Sequence, residues 1–429
     1  MTQHNATPSK TRWKLLIIIY FACLIAYLDR VNLSIVAKNV MEEMDFDKIQ
    51  LGYTMSAFFT GYAVLQIPSS ILGEKFGTRV VAALAILWWS VFTFLTPLAW
   101  GFTSFMIIRF MFGLGEAPIF PCIQTFFSRW FSFKEKAIAN SGMLMGVFFA
   151  PAIGPWLTVQ IVDNLSWRWA FYAYGFAGSI AALLWFIYAR NTPQEHKDVN
   201  QGEIDAINIG RTQTQIDYLI KKEVAPWTSR FLKSPRFWLI GIQYFIANYI
   251  MYLFLSWIPT YLQEARHMTF QKMGISASVP WLCLTLSVLI GGFASDRLVS
   301  RNVSKVKSRS LFAIVGFAFC MFGLYMGAGA ESDVGNLLWL SLSLGALGFS
   351  YIASWAGCQD LGGKFGGSVS AWMNTWGNLA GVAAPVVTAY LVRAFGWQGA
   401  LSMTSVFIFI GCFCWVFIRP DRSLVEEME

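Results

Sequence analysis

Charge is the scarcest feature of this 429-residue sequence. Asp, Glu, Lys and Arg make up 13% of it, whereas hydrophobic residues make up 56%. A soluble domain of average composition is about a quarter charged, so lipid is the solvent that fits this chain. The net charge of +8 does not indicate a nucleic-acid partner, because the basic residues lie in short gaps between apolar runs and not on one polar face.

Residues for metal and redox chemistry are also few. The seven cysteines show none of the spacings of a zinc site or a disulfide framework, and we interpret them as small packing residues. The three histidines, His4, His196 and His267, fall in polar segments, which excludes a buried histidine proton relay. With no phosphate-binding loop and no nucleophile–base pattern, the sequence predicts no metal, no cofactor and no enzyme.

Long apolar runs recur along the chain, each close to the roughly 20 residues that a helix needs to cross a bilayer. Twelve such runs are predicted, at 15–37, 50–73, 79–100, 103–127, 136–161, 169–189, 237–262, 273–294, 310–330, 336–357, 367–392 and 397–418. An even number of crossings places both chain ends on the same side of the membrane.

The 32 Lys and Arg residues predict the orientation. Most of them lie at the termini and in the gaps on the same side as the termini. Six lie in the opposite gaps: Lys38, Lys48, Arg168, Arg266, Lys272 and Arg393. Because Lys and Arg are enriched in cytoplasmic loops, both termini are predicted to be cytoplasmic in a multi-pass membrane protein.

The longest polar stretch, from Arg190 to Arg236, separates six apolar runs from six. We therefore predict an N-terminal half at 1–190, a cytoplasmic linker at 191–236, and a C-terminal half with a tail at 237–429. Asn200 followed three residues later by Glu203 is typical of an N-cap and capping box. This pattern predicts a short surface helix in the linker.

A similar charged motif follows the second helix of each half. Residues 70–79 read Ser-Ile-Leu-Gly-Glu-Lys-Phe-Gly-Thr-Arg, and residues 292–297 read Gly-Phe-Ala-Ser-Asp-Arg. Duplicated halves are common in transporters that rock between two states, and G-x-x-x-D-R resembles the loop signature of the major facilitator superfamily. The resemblance implies an all-α integral membrane fold of twelve helices in two six-helix halves. It also implies a gating role for Glu74, Lys75, Arg79, Gly292, Asp296 and Arg297.

Four charged residues lie inside predicted membrane helices: Asp29 and Arg30 in helix 1, and Arg109 and Glu116 in helix 4. A charge at mid-membrane costs about 2.5–3.5 kcal/mol on insertion scales, so these groups are expected to face one another or a wet cavity. Arg109 and Glu116 lie on one helix face, two turns or roughly 10 Å apart. That separation is too long for a direct bond, so each needs another partner.

Two interpretations of these charges remain open. One is a static network of ion pairs that ties helix 1 to helix 4. The other is a switch, in which an anionic substrate engages an arginine and the carboxylate that loses this counter-charge takes up a proton. Arginine suits a substrate carboxylate because its planar fork donates two parallel hydrogen bonds.

The segments around these charges carry a closer resemblance. Residues 27–33 read Tyr-Leu-Asp-Arg-Val-Asn-Leu, residues 113–118 read Gly-Leu-Gly-Glu-Ala-Pro, and shorter matches extend along the chain. The sequence resembles the anion:cation symporter family, which includes bacterial hexuronate, glucarate and D-galactonate proton symporters. This implies a monomer in a bacterial inner membrane that imports an organic carboxylate, with a sugar acid (hexuronate, aldonate or aldarate) expected, driven by the proton gradient.

The same resemblance implies roles for individual residues. Asp29 and Glu116 would titrate, and Arg30 and Arg109 would couple them to substrate. The implied pocket residues are Tyr27, Tyr62, Trp355 and Asn374.

One departure from the family pattern keeps the substrate open. Several sugar-acid members have Gln or Asn in the middle of helix 5, where this chain reads Met-Leu-Met-Gly-Val-Phe at 143–148. A less polar wall also fits an aromatic or otherwise less hydroxylated acid. An organic-anion exchanger or efflux antiporter of the same fold stays open as well, as do sodium in place of protons and a membrane-bound enzyme or receptor.

Overall fold

A computed structural model of the chain describes residues 7–132, 135–208, 231–300, 304, 306–362 and 366–424, and all regular secondary structure among them is helical. The helices are α1 (Thr11–Ile35), α2 (Ala37–Met44), α3 (Lys48–Phe76), α4 (Thr78–Leu95), α5 (Phe102–Glu116), α6 (Ile119–Trp130), α7 (Lys136–Asn164), α8 (Trp167–Tyr188), α9 (Gln201–Asn208), α10 (Pro235–Glu264), α11 (Phe270–Ser300), α12 (Leu311–Gly329), α13 (Asp333–Gly362) and α14 (Gly366–Ile418). Short 3-10 turns at Thr96–Leu98, Pro193–Glu195 and Phe231–Lys233, and a π-helical turn at Val306–Ser310, supplement them.

Within the described residues, ten segments are long and apolar enough to cross a membrane. All ten coincide with predicted runs. The last segment merges the final two predicted runs into α14, which is 53 residues long. Gly396 interrupts this helix with φ 66° and ψ 178°, a left-handed conformation that glycine adopts without steric cost. The predicted run at 50–73 corresponds to α3, which has 29 residues and is not one of the ten.

The predicted run at 103–127 is divided into α5 and α6. The division falls at Ala117 and Pro118, directly after Glu116. Proline has no backbone N–H, and its ring crowds the carbonyl four residues earlier, so the helical hydrogen-bond pattern is interrupted here, although Ala117 and Pro118 keep right-handed helical angles. Glu116 therefore lies at the last turn of α5.

The chain divides into two compact units. The first comprises Met1–Arg30, Thr60–Ala150 and Leu165–Val224, and the second comprises Val31–Phe59, Pro151–Asn164 and Ala225–Glu429. In the first unit, α4 packs against α5, α6 and α8; in the second, α10 packs along α14, and α13 packs against α11 and α12. The second unit thus adds α2 and parts of α1, α3 and α7 to the helices of the predicted C-terminal half.

The short helix predicted in the linker is present as α9. Asn200 caps it, because its Oδ1 accepts a hydrogen bond from the backbone N of Glu203 at 2.9 Å. The predicted return bond of the capping box is not formed. The Glu203 carboxylate instead accepts from the backbone N of Thr11 at 2.9 Å and of Arg12 at 3.0 Å. These N–H groups begin α1 and have no partner within it, so α9 supplies the cap of α1.

Candidate functional site

Helices α1 and α5 bring the four membrane charges together in the first unit. Arg30 donates to Oε1 of Glu116 through Nε at 2.7 Å and lies 2.5 Å from it through Nη2. Arg109 is close enough to Asp29 to interact with it electrostatically. All four side chains are buried, with at most 7% of each residue exposed. Adjacent residues of α1 therefore face opposite charges that lie two turns apart on α5.

Several oxygens of this cluster are unsatisfied. Both carboxylate oxygens of Asp29 and Oε2 of Glu116 lack a hydrogen-bond partner among the described residues. The hydroxyl of Thr93, on α4, lies beside Asp29 without the geometry of a regular hydrogen bond. A buried carboxylate oxygen without a partner is costly, so these positions are suited to receive a proton or a ligand's donor group.

Two tyrosines enclose the guanidinium of Arg30. Its central carbon lies 4.4 Å from the ring centroid of Tyr27 and 5.0 Å from that of Tyr62. Both distances are within the roughly 6 Å over which a cation interacts with an aromatic ring. Arg109 has a similar contact with Phe112, at 4.6 Å. The rings fix the direction in which Arg30 presents its hydrogen-bond donors.

A close approach of two helices places Tyr62 at this cluster. The preceding residue is Gly61, and a Cβ atom added there would lie 2.1 Å from the backbone oxygen of Phe110. Only glycine lets α3 approach α5 so closely. Family resemblance predicted Tyr62 as a pocket residue, and the packing of Gly61 is the physical reason that it reaches Arg30.

The other two predicted pocket residues lie in the second unit. Trp355, on α13, is 45% exposed, and its ring lies 6.1 Å from that of Tyr244. Asn374, on α14, is partly buried. The structure places Tyr27 and Tyr62 with the charge cluster, and it places Trp355 and Asn374 within the second unit.

Polar side chains near Trp355 were missed by the sequence analysis. Tyr351 donates to Oδ1 of Asn248 at 3.1 Å, and Ser354 donates to Oε1 of Gln243 at 3.1 Å. Every buried polar side chain of the second unit that the structure describes is uncharged. Uncharged polar residues do not stand out within apolar runs as charged residues do, so only the fold reveals that they lie together.

The loop motifs are described in part. Gly77 joins α3 to α4 with φ 85°. Arg79 donates through Nε to the backbone oxygen of Phe186 at 2.9 Å, and its backbone N donates to Oδ1 of Asn191 at 3.0 Å. Lys75 and Arg297 are exposed. The side chains of Glu74, Gly292 and Asp296 lie outside the described part of the structure.

Metal ligands do not gather in the described part of the chain, where no three His, Cys, Asp or Glu side chains form a group that could hold an ion. His196 is buried, with its ring 4.9 Å from that of Tyr188 and 5.8 Å from that of Trp130. It lies after α8, outside the membrane-spanning segments, and burial lowers its pKa. A neutral, packed imidazole at this place is consistent with a structural role.

Comparisons with protein families and with individual proteins both match most of the chain. The sequence profile of the Major Facilitator Superfamily matches residues 19–385. The chain is 31% identical over 428 residues to the D-galactonate transporter of Escherichia coli O6:H1 (strain CFT073), covering 98% of each chain. It is 29% identical over 432 residues to the chloroplastic ascorbate transporter of Arabidopsis thaliana, covering 98% of this chain and 78% of that protein.

A solved structure has a similar fold. It is the inward-facing, unoccupied form of a bacterial homologue of the human lysosomal transporter Spinster. Its TM-score is 0.77 at 15% sequence identity, with 95% of this chain and 97% of that chain covered. This likeness concerns the fold alone.

Proposed function

The chain belongs to the major facilitator superfamily and is a membrane transporter and not an enzyme, and from that premise we propose that it imports an organic carboxylate together with protons. The observation that carries the proposal is the pairing of Arg30 with Glu116 between Tyr27 and Tyr62. A substrate carboxylate competes with Glu116 for the guanidinium. The displaced carboxylate, buried without its counter-charge, takes up a proton.

Asp29 is the second titrating group in this proposal. Its carboxylate oxygens have no hydrogen-bond partner among the described residues, and its nearest counter-charge is Arg109. An anion that draws Arg109 away leaves the Asp29 carboxylate buried without its counter-charge. Asp29 then takes up a proton, as Glu116 does. The anion at an arginine and the proton at the carboxylate that this arginine releases are therefore bound together by this cluster, and this links uptake to the proton gradient.

A sugar acid is the proposed substrate class. Two relatives are described as transporters of D-galactonate and of ascorbate, and both compounds are acidic and carry several hydroxyl groups. Neutral hydrogen-bonding side chains, as found around Tyr351 in the second unit, are the groups that bind hydroxyls. We propose that Trp355 and Asn374 contact the substrate.

The segment 143–148, in α7, supports a less hydroxylated acid as a second candidate substrate. A Cβ atom at Gly146 would lie 2.5 Å from the backbone oxygen of Tyr20, so a polar side chain does not fit there. Met143 is buried, with 4% of its surface exposed.

The proposed topology has twelve crossings with both termini in the cytoplasm of a bacterial cell, in a monomer of the inner membrane. The ten apolar segments become twelve when α3 is added and α14 is counted as two helices that meet at Gly396. The abundance of Lys and Arg on the side of the termini supports the orientation.

Transport by purified protein in lipid vesicles tests the proposal. With an inward proton gradient, wild-type protein should accumulate labelled D-galactonate, and benzoate as competitor tests the second candidate. Glu116→Gln should exchange labelled for unlabelled substrate but should not accumulate it, because the side chain can no longer gain and lose a proton. Equal loss of exchange and accumulation would assign Glu116 to binding or structure instead. Accumulation that follows a sodium gradient or requires an internal counter-anion would overturn proton symport.

A further inference from the structure

Two polar contacts join helix ends of the second unit that are far apart in sequence. Lys48 Nζ, at the start of α3, lies 3.1 Å from Oε2 of Glu264, at the end of α10. Asp163 Oδ2, near the end of α7, accepts a hydrogen bond at 2.9 Å from Nε2 of Gln271, near the start of α11. Each contact links a helix that precedes the linker with a helix that follows it.

Tight packing continues from these contacts along α3 and α7. Ser56 Oγ donates to the backbone oxygen of Val382 at 2.6 Å. A Cβ atom at Gly52 would lie 2.9 Å from the backbone oxygen of Pro385, and one at Gly274 would lie 2.7 Å from Cγ2 of Val159. Small residues thus let α3 approach α14 closely, and α7 approach α11.

Glu264 is anchored to the helices that follow the linker. Its Oε2 also accepts a hydrogen bond from Nε1 of Trp397 at 2.9 Å. The Trp397 ring in turn packs 5.7 Å from the ring of Tyr261, one turn before Glu264 on α10. Lys48, by contrast, lies at the start of α3, and its side chain is 35% exposed. When these helices separate, the Lys48 side chain therefore moves away, while Glu264 keeps its bond to Trp397.

A carrier with two alternating states closes its route on one side of the membrane at a time. We propose that Lys48, Asp163, Glu264 and Gln271 form a latch that closes the side away from the chain termini, and that the Lys48–Glu264 pair sets how often this side opens. The alternation between two states is taken from the proposed function, whereas the contacts of the latch do not depend on the substrate. A partly exposed ion pair is weak, which suits a contact that must break in every cycle.

Cysteine labelling measures the opening of the latch directly. Ser56 is 6% exposed, so a Ser56→Cys variant, with the seven native cysteines replaced, should react slowly with a membrane-impermeant maleimide added to intact cells. Adding Lys48→Met should raise the labelling rate by up to about fivefold, the range that the loss of one exposed ion pair covers. Glu264→Gln should have a similar effect, because the amide still accepts from Trp397 but no longer attracts Lys48.

A matched control separates the latch from a general effect of charge. Lys38 pairs with Glu42 at 3.7 Å within α2, so Lys38→Met removes a nearby charge without touching the latch and should leave the labelling rate unchanged. The double charge reversal Lys48→Glu with Glu264→Lys should label more slowly than Lys48→Glu alone, because the ion pair forms again even though a lysine at 264 cannot accept the bond from Trp397. Wild-type labelling rates in Lys48→Met, or a double reversal that labels as fast as Lys48→Glu alone, would overturn the proposal.

The labelling result is independent of transport. If Lys48→Met opens the site while no proton-driven uptake is found, the latch stands and the proposed function fails. If uptake is proton-driven but labelling is unaffected, the reverse holds. Faster labelling in inverted vesicles instead of intact cells would contradict the assignment of the latch to the side away from the termini.

Discussion

Arg30 is the residue on which the charge cluster depends most. It holds Glu116 through two nitrogens and lies between Tyr27 and Tyr62. Lysine carries the same charge as a compact ammonium, which lacks the planar fork and the flat face that the site uses. We expect Arg30→Lys to reduce substrate transport at least tenfold while the protein remains folded, as measured by uptake and by detergent-solubilised thermal stability.

The exposed Arg393 offers a control for Arg30→Lys. Arg393→Lys makes the same chemical change away from the cluster and should transport at the wild-type rate. Normal uptake by Arg30→Lys would remove Arg30 from the substrate site and would favour the static network of ion pairs.

At the residue scale, the sequence predicted that the four membrane charges face one another or a wet cavity, but not how they pair. Asp29, Arg30, Arg109 and Glu116 stand out because each lies in an otherwise apolar run. Sequence spacing excludes a direct bond between Arg109 and Glu116, but it does not decide which α1 residue faces which α5 residue. That choice depends on the rotation and height of the two helices, which are set by packing. Thr93 gives no signal at all, because a threonine in an apolar helix is ordinary.

The approach of α3 to α5 is the first feature at the scale of elements. A methyl group at Gly61 would meet the backbone oxygen of Phe110 at 2.1 Å, and overpacking of this kind typically costs about 1–3 kcal/mol. We expect Gly61→Ala to lower the thermal unfolding temperature by several degrees and to impair transport, because Tyr62 moves away from Arg30.

Gly329 is the matched control for Gly61. It ends α12, and a Cβ atom added there meets nothing within 4 Å. Gly329→Ala should leave both stability and transport close to wild type. Equal effects of the two substitutions would mean that the α3–α5 approach is not the cause.

The bond between α9 and α1 is the second feature at this scale. Glu203 is fully buried. Burial by itself raises the pKa of Glu203, but hydrogen bonds from Ser9, Arg12 and Thr11 and the charge of Arg12 outweigh it and hold the pKa below its ordinary value. A carboxyl group whose pKa is lower in the folded protein stabilises it above the unfolded pKa of about 4.3. This stabilisation is lost as the pH falls through the folded value.

Glu203→Gln should therefore lower the unfolding temperature in detergent at pH 7 by about 5 °C, since losing hydrogen bonds to a charged group costs about 2 kcal/mol and about 1 kcal/mol shifts a larger domain by roughly 2–4 °C. The difference from wild type should be constant between pH 6 and pH 8 and should shrink below about pH 4. Asp205→Asn, on the exposed face of α9, is the control and should change little. A difference that grows with acidity would contradict the capping role of Glu203.

The positions of the elements were largely predictable, whereas the partners of their ends were not. Apolar runs predicted the membrane helices because their length is imposed by the bilayer. Asn200 predicted the start of α9, because an N-cap is a local signal. The hydrogen-bond partners of the Glu203 carboxylate are not local. The capping-box pattern predicted a bond within α9, but the carboxylate accepts from Thr11 and Arg12, nearly two hundred residues earlier in the chain.

At the scale of the whole molecule, composition predicts a membrane protein, whereas the division of the chain into compact units depends on packing. Low charge and recurrent apolar runs are sufficient to predict a multi-pass membrane protein, whereas the transport function was implied by the resemblance to a family. The sequence divides at the polar linker, but the second compact unit also takes in α2 and parts of α1, α3 and α7. These parts join it through close contacts such as Gly52 with Pro385, which no hydrophobic pattern reveals.

The orientation in the membrane is the prediction that belongs to the whole chain. If both termini are cytoplasmic and Gly396 separates two crossings, a cysteine at Arg393 faces the outside, and cysteines at Asp205 and Asp421 face the cytoplasm. Each of these positions is exposed, so accessibility reports the side and not burial. In a background without the native cysteines, an impermeant maleimide should label Arg393→Cys in intact cells, and the other two variants only in inverted vesicles.

Labelling of Asp421→Cys and Arg393→Cys from the same side would mean that residues 397–418 do not cross the membrane. Labelling of Asp205→Cys from outside would reverse the orientation, because the Lys and Arg residues that flank the linker would then face away from the cytoplasm.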